Sequence, residues 1–241
     1  MKTRFITLLA AFAALIGSVS CTNNSGKDEI IYYSFATVNK NGANDNSKLT
    51  YITDDARLLI PDSPAPAAFK AREGQRVVLY FSIQKEEDEL TQTTQIKLYQ
   101  IDTNVVIGNT AIVSGSEALA DLGVEGVSVN TSPYTPQTTP KYFNIYVGFN
   151  ANKHEKHDFT LALNTQDTGD EKELKLTLAH KSNGDVSSLD YWQWVSFPVE
   201  PFLDRLEGKS RAAINVKTRM NGNQVFYLAT PNSGSKCIQV K

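Results

Sequence analysis

A chain of 241 residues with 41% hydrophobic and 21% charged residues has the composition of a folded protein, which excludes disorder for its bulk. That length suits one large β domain or two small ones. The formal charge is −2, and it becomes −4 once residues 1–20, which hold Lys2 and Arg4 and no acid, are set aside. Neither value is the basic footprint of a nucleic-acid binder.

Residues 1–20 read as an export signal. Lys2 and Arg4 form a positive n-region, and Phe5 to Ile16 is a run of twelve residues broken only by Thr7. The run is too short to cross about 30 Å of hydrocarbon as a finished helix, and it lacks the polar face of a core helix. Ser18 and Ser20 flank a cleavage site ahead of Cys21. The segment resembles a bacterial lipoprotein signal: Ser20 is the small residue before the modified cysteine, and Val19 is acceptable beside it. Ser18 stands where such signals usually carry leucine. Ser18-Val19-Ser20 also suits ordinary signal peptidase, which would cut the same bond and leave Cys21 unmodified. With lipid on Cys21, Cys237 has no disulfide partner and reads as a packed or incidental thiol, so the fold must rest on its hydrophobic core. Residues 21–29 then form a flexible tether. Lys27-Asp28-Glu29 resembles the acidic export tags of surface lipoproteins, or is a solvated charge cluster.

From Ile30 onward the pattern is strand-like. Ile30 to Val38, Leu49 to Ile60, Arg76 to Gln84 and Gln95 to Ile101 are short runs rich in β-branched and aromatic residues. Asp54-Asp55 marks the turn of a hairpin, Pro61 to Pro66 a stiff connection, Arg72 to Gln75 a turn, and Glu86 to Glu89 an acidic loop. Thr103 to Pro140 is looser, with a helix over Ser116 to Leu122 and a turn-rich end from Asn130 to Pro136. A second series of strands covers Tyr142 to Phe149, Phe159 to Leu163, Leu174 to His180, Trp192 to Phe197, Ala212 to Thr218 and Val225 to Ala229. Val199 to Leu206 reads as one or two amphipathic helical turns. Strands at this spacing with almost no helix predict an all-β protein of barrel and sandwich type.

The chain resembles the NigD-like lipoproteins, common in Bacteroidota. The resemblance rests on Ser34-Phe35-Ala36-Thr37-Val38, Tyr51-Ile52-Thr53-Asp54-Asp55, Leu59-Ile60-Pro61 and Glu73-Gly74-Gln75-Arg76-Val77. It continues in Tyr142-Phe143-Asn144, His157-Asp158-Phe159-Thr160-Leu161, His180, Gly184-Asp185 and Val195-Ser196-Phe197. It implies an N-terminal OB-like barrel, placed over 30–107, and a C-terminal β-sandwich over 108–241. It implies no reaction. Histidines at 157 and 180 match positions that the family often fills with histidine, whereas His154 does not.

The chemical candidates are few. Lys153-His154-Glu155-Lys156-His157-Asp158 places two histidines three apart, but between strands rather than on a helix, with His154 in a hairpin loop and His157 at a strand start. Their expected role is structural, as hydrogen-bonding groups across strands or to a turn. An OB barrel commonly binds oligonucleotides or oligosaccharides. Between Ile30 and Ile107, eight basic residues face ten acidic ones, so nucleic acid is not expected as a partner. Sugars need aromatic platforms, and Tyr32, Tyr33, Tyr51, Tyr80 and Phe81 are available, about half of them as core. Tyr191-Trp192-Gln193-Trp194 places Trp192 and Trp194 on one face of a strand. There they are either a core pair filling the sandwich or an exposed ligand or partner platform.

No residue is assigned a catalytic, cofactor-binding or metal-ligating role, and no cofactor is expected. The chain reads as a non-enzymatic binding or accessory protein, lipid-anchored through Cys21 to the outer membrane, at the cell surface or in the periplasmic leaflet. Its partners would be the membrane and either an outer-membrane protein or a glycan. Alternatives are a glycan-binding accessory of a nutrient-uptake system and, from another class, a hydrolase without a recognisable motif.

Overall fold

The computed structural model describes residues 30–42, 48–66, 68–88, 92–130, 137–167, 172–230 and 238–240. The export signal, Cys21, the tether, Cys237 and most of the turn-rich Asn130 to Pro136 lie outside the described residues.

Five strands close the first barrel: β1 (Ile31–Asn39), β2 (Thr50–Thr53), β3 (Leu58–Pro61), β4 (Arg76–Asp88) and β5 (Thr93–Asp102). The ladder runs β1-β2-β3-β5-β4 and returns from β4 to β1. All its pairs are antiparallel except β3 with β5. This is the five-stranded OB-type barrel, whose closure removes free edges. Alternation puts Val38, Tyr51, Leu59, Val77, Leu79, Phe81 and Ile96 inside it. The expected acidic loop is shorter than its charges suggest, because β4 continues through Asp88, which pairs with Thr93. Cross-strand pairing with bulges there overrides the weak strand preference of a charged run.

Two sheets form the sandwich. One has the order β6 (Val105–Ile107), β13 (Asp190–Pro198), β10 (Tyr142–Asn150), β8 (Ser128–Val129), with β9 (Gln137–Thr138) also on β10. The other runs β15 (Gly222–Ala229), β14 (Arg211–Thr218), β12 (Glu173–Lys181), β11 (Asp158–Asn164), β7 (Asn109–Val113). Phe143, Ile145, Val147, Phe149, Val195 and Phe197 of the first sheet interleave with Phe159, Leu161, Leu174, Leu176, Leu178, Ile214 and Val216 of the second. The predicted helix occupies Ser116–Asp121, and short helical turns follow β13 over Glu200–Leu206. A last strand, β16 (Ile238–Val240), returns to pair with Ile31, Tyr32 and Tyr33 of β1.

The sheet containing β10 and β13 is buried on both faces, so the molecule has three layers. Its odd-numbered face fills the sandwich, and its even-numbered face carries the barrel. At the centre of that contact Arg76, which opens β4, is buried and forms a bidentate ion pair with Asp54 at 2.8 and 3.0 Å. Its Nε donates to Ser196 Oγ at 3.0 Å and one terminal nitrogen to Asn144 Oδ1 at 3.2 Å. Thr139 Oγ1 donates to Asp54 Oδ2 at 2.7 Å, and Ser196 Oγ donates to Asn144 Oδ1 at 2.6 Å. The guanidinium plane also lies over the Tyr142 ring at 3.8 Å. Barrel residues thus supply both charges, and sandwich residues supply the remaining hydrogen bonds.

Removing one member of a buried ion pair leaves the other charge desolvated, at a cost of about 3–5 kcal/mol. Arg76→Ala should therefore lower unfolding stability in urea by about that amount, whereas Arg76→Met combined with Asp54→Leu should recover most of the loss. Equal destabilisation of single and double variants would contradict this account.

Candidate functional site

Three places in the fold gather the side chains with chemistry to offer. The first is the pair of tryptophans on β13. Both lie on the even-numbered face, as alternation requires, but that face looks away from the sandwich core. Trp194 is only 7% exposed and meets Phe35 of the barrel edge-on at 4.9 Å and Tyr146 at 5.0 Å. With Tyr33 and Val78 it forms a small core between barrel and sandwich. Neither expected alternative, a core pair filling the sandwich or an exposed platform, holds for Trp194: it fills the inter-domain contact and has no open ring face for a ligand. Trp192, one step further from that contact, is half-buried. Its indole lies on Gly148, where an added Cβ would come within 2.5 Å of the ring, and beside Tyr146 at 5.4 Å. Glycine is required there because the ring occupies the space of a side chain.

The second place is a buried chain of polar groups at the end of the sandwich. His157 Nδ1 and His180 Nε2 are 2.8 Å apart, and His157 Nε2 is 3.3 Å from Asp185 Oδ2. The same carboxylate oxygen accepts from the backbone N–H groups of Asn152 at 2.8 Å and Lys153 at 2.7 Å. These bonds, led by that from Lys153, hold the Asp185 carboxyl below its usual range. His180 stacks on Phe159 at 4.8 Å. Burial, together with the neighbouring His157, pushes its pKa down to about 4. His180 therefore stays neutral at physiological pH. Its backbone carbonyl accepts from Glu125 N–H, and Glu125 accepts in turn from the Ser182 hydroxyl. His154, by contrast, sits in a 3-10 turn and stacks on Tyr191 at 4.4 Å. The histidines join four segments: the start of β11, the end of β12, the 182–185 turn and the loop at 123–125.

The third place is the open cleft beside that chain, about 440 Å³ in volume, lined by residues that include Glu125, Asn150, Ser182, Lys217 and Arg219. Arg219 spans three strands, with its Nε donating to Ser128 Oγ and one terminal nitrogen to Asn150 and Asp190. Among the described residues no group of three or more His, Cys, Asp or Glu is placed to hold a metal ion. The sequence pointed to the histidines and tryptophans but not to Arg76 or Arg219. The available signal for Arg76 was a strand, Arg76 to Phe81, that is apolar on both of its faces.

The family model described as the NigD-like C-terminal beta sandwich domain matches residues 112–229. Among solved structures, a protein of unknown function from Bacteroides vulgatus superposes with a TM-score of 0.62 at 16% identity, over 85% of this chain and 92% of that one. A toxin-related protein from Parabacteroides distasonis gives 0.56 at 20% identity, over 84% and 94%. A provisionally named lipoprotein from Bacteroides fragilis gives 0.54 at 15% identity, over 83% and 97%. At these identities the likeness is one of fold, over nearly the whole of each relative. No curated protein sequence matches the chain.

The His180 shift predicts a pH dependence of stability. The folded pKa of about 4 lies below the ordinary 6.5, so protonation favours the unfolded chain. The contribution of the neutral ring is complete above pH 6.5 and is lost as the pH falls toward 4. Urea unfolding of His180→Gln should show a shallower decline across that window than the parent. Identical slopes would refute the assignment.

Proposed function

We infer, for a chain that belongs through residues 112–229 to the NigD-like family, a non-catalytic binding or accessory role at the cell envelope, held there by lipid on Cys21. The observation that carries this reading is the sequence from Lys2 to Cys21: positive start, apolar run, small residues, then a cysteine at the cut. A single acyl chain holds a protein only marginally, and two hold it stably. The several chains of a mature lipoprotein would make attachment effectively permanent. The lipoprotein name of one structural neighbour supports the same address. We place the protein in the outer membrane, facing either the cell surface or the periplasm, with a membrane protein or glycan as its further partner.

A binding role leaves these side chains to hold the fold. His157 and His180 are engaged with each other and with Asp185, in the service of loop geometry. The cleft carboxylates are likewise bound, Glu125 by Ser182 and Asp185 by two backbone N–H groups. Trp192 favours a glycan as the second reading, because its half-buried ring lies on Gly148, with Asn150 and Asp190, both held by Arg219, two residues along the same face. Such a combination of ring and polar groups suits a pyranose.

Two outcomes are expected. Cys21→Ala should move the protein from the membrane fraction and the detergent phase to the soluble periplasm and the aqueous phase, and unchanged partitioning would defeat the lipid assignment. In affinity gels, retardation by a polysaccharide should be lost in Trp192→Ala. A wild-type protein unretarded across a broad panel would end the glycan reading.

A further inference from the structure

The three most exposed large apolar side chains among the described residues are Met220 at 90%, Val186 at 88% and Leu189 at 62%. All three sit at one end of the sandwich. Val186 lines the cleft together with Arg219, the residue before Met220. Leu189 precedes Asp190, which Arg219 binds. Val124, 55% exposed, stands at the same end beside Glu125, whose carboxylate binds Ser182. Three connections that share no sequence neighbourhood thus raise one apolar tip each, or two, around a polar cleft. Folding gains little from these side chains, since more than half of each touches water rather than core.

The charges of this end are unequal in availability. Most of its carboxylates are hydrogen-bonded though still charged, Glu125 by Ser182, Asp185 by backbone N–H groups and His157, Asp190 by Arg219 and Asp158 by Asn183, while Glu155 is exposed beside Lys156. Lys153, Lys156, Lys181 and Lys217 are exposed there. With Arg219 these bases balance the five acids Glu125, Glu155, Asp158, Asp185 and Asp190, and apolar tips rimmed by such mixed charge match an interface of acyl chains and zwitterionic headgroups.

The path of β1 gives the direction of the tether. Arg76, paired with Thr37, bonds Ser196, and Phe35 meets Trp194. Each step of two residues toward Ile31 on β1 is therefore matched by a step of two toward Asp190 on β13. Continued at the same spacing, Ile31 comes to the level of Asp190, the end that carries the tips. The nine residues 21–29 reach at most about 30 Å when fully extended. They easily allow the near end of the sandwich to rest on the membrane. The far end lies a nine-residue strand away, about another 30 Å.

We propose that this end of the sandwich is a membrane-contact surface, with Met220, Val186, Leu189 and Val124 entering the headgroup region and the surrounding lysines meeting lipid phosphates. The tether direction rests on the envelope reading above; the surface itself does not require lipid on Cys21.

The test separates the two. The mature chain from Thr22, with Cys237→Ser and a hexahistidine tag in place of Cys21, is fastened to vesicles of phosphatidylethanolamine and phosphatidylglycerol containing a nickel-chelating lipid. Attachment is then independent of native lipidation, which detergent partitioning measures on its own. An environment-sensitive fluorophore is placed on Met220→Cys, on Val186→Cys, or on Leu203→Cys, an exposed site beyond the opposite end of β13. On vesicles the first two labels should shift to the blue, brighten at least twofold, and be quenched by spin-labelled lipid, while the Leu203 label stays unchanged. Labels at 186 and 220 as water-exposed as the one at 203 would overturn the proposal, as expected if these tips meet a protein instead.

Discussion

The arrangement of the two domains depends on a charge that neither could bury alone. Arg76 and Asp54 both belong to the barrel, and their pairing at 2.8 Å neutralises them there. A bidentate carboxylate still leaves guanidinium donors unbonded, and a buried donor without a partner is costly. Ser196 and Asn144 of the sandwich accept those bonds, and Thr139 donates to the second carboxylate oxygen. The ion pair is thus complete only when the sandwich is docked. This makes the contact specific as well as tight: Phe35, Trp194 and Tyr146 contribute apolar area that would tolerate sliding, while three directional bonds fix the register.

That dependence explains what could and could not be read from the residues. The ten principal strand runs were legible because alternation and turn residues are local. The hairpin at Asp54-Asp55, the helix at Ser116 and the turns after Val199 were legible for the same reason. Pairs between distant segments escaped, the parallel ones β3 with β5, β6 with β13, β7 with β11 and β12 with β14 as well as the antiparallel β1 with β4 and β10 with β13. No turn announces such a pair. Val105–Ile107 and Asn109–Val113 are short and their registers are set by the partner strand, so they read as loose chain. Asp54 looked like a turn residue and is one, yet it is also a buried acid. Its second role appears only when residue 76, twenty-two positions later, arrives beside it.

The segments that carried the family resemblance acquire a common physical meaning. Arg76, Asp54, Asn144 and Ser196 belong to four of them and form the inter-domain network. His157, His180 and Asp185 belong to three others and bind the loops at the sandwich end. Both sets are buried polar networks that tie distant segments together, with Asn144 Nδ2 and His180 Nδ1 left without a partner among the described residues. A scaffold fixed in this way can vary its exposed tips and cleft freely.

The load path from a membrane tether follows from the same geometry. Tension on residues before Ile30 enters β1, which is paired with β16 on one edge and β4 on the other over Tyr32 and Tyr33. Pulled along its length, β1 loads these ladders in shear, with several hydrogen bonds bearing together rather than opening one at a time. Further along, Phe35 is wedged against Trp194, and Thr37 pairs with Arg76, whose bonds reach the sandwich. The strand nearest the proposed anchor is thus tied into both domains within seven residues of its start. Force would be shared by barrel and sandwich before it could separate them.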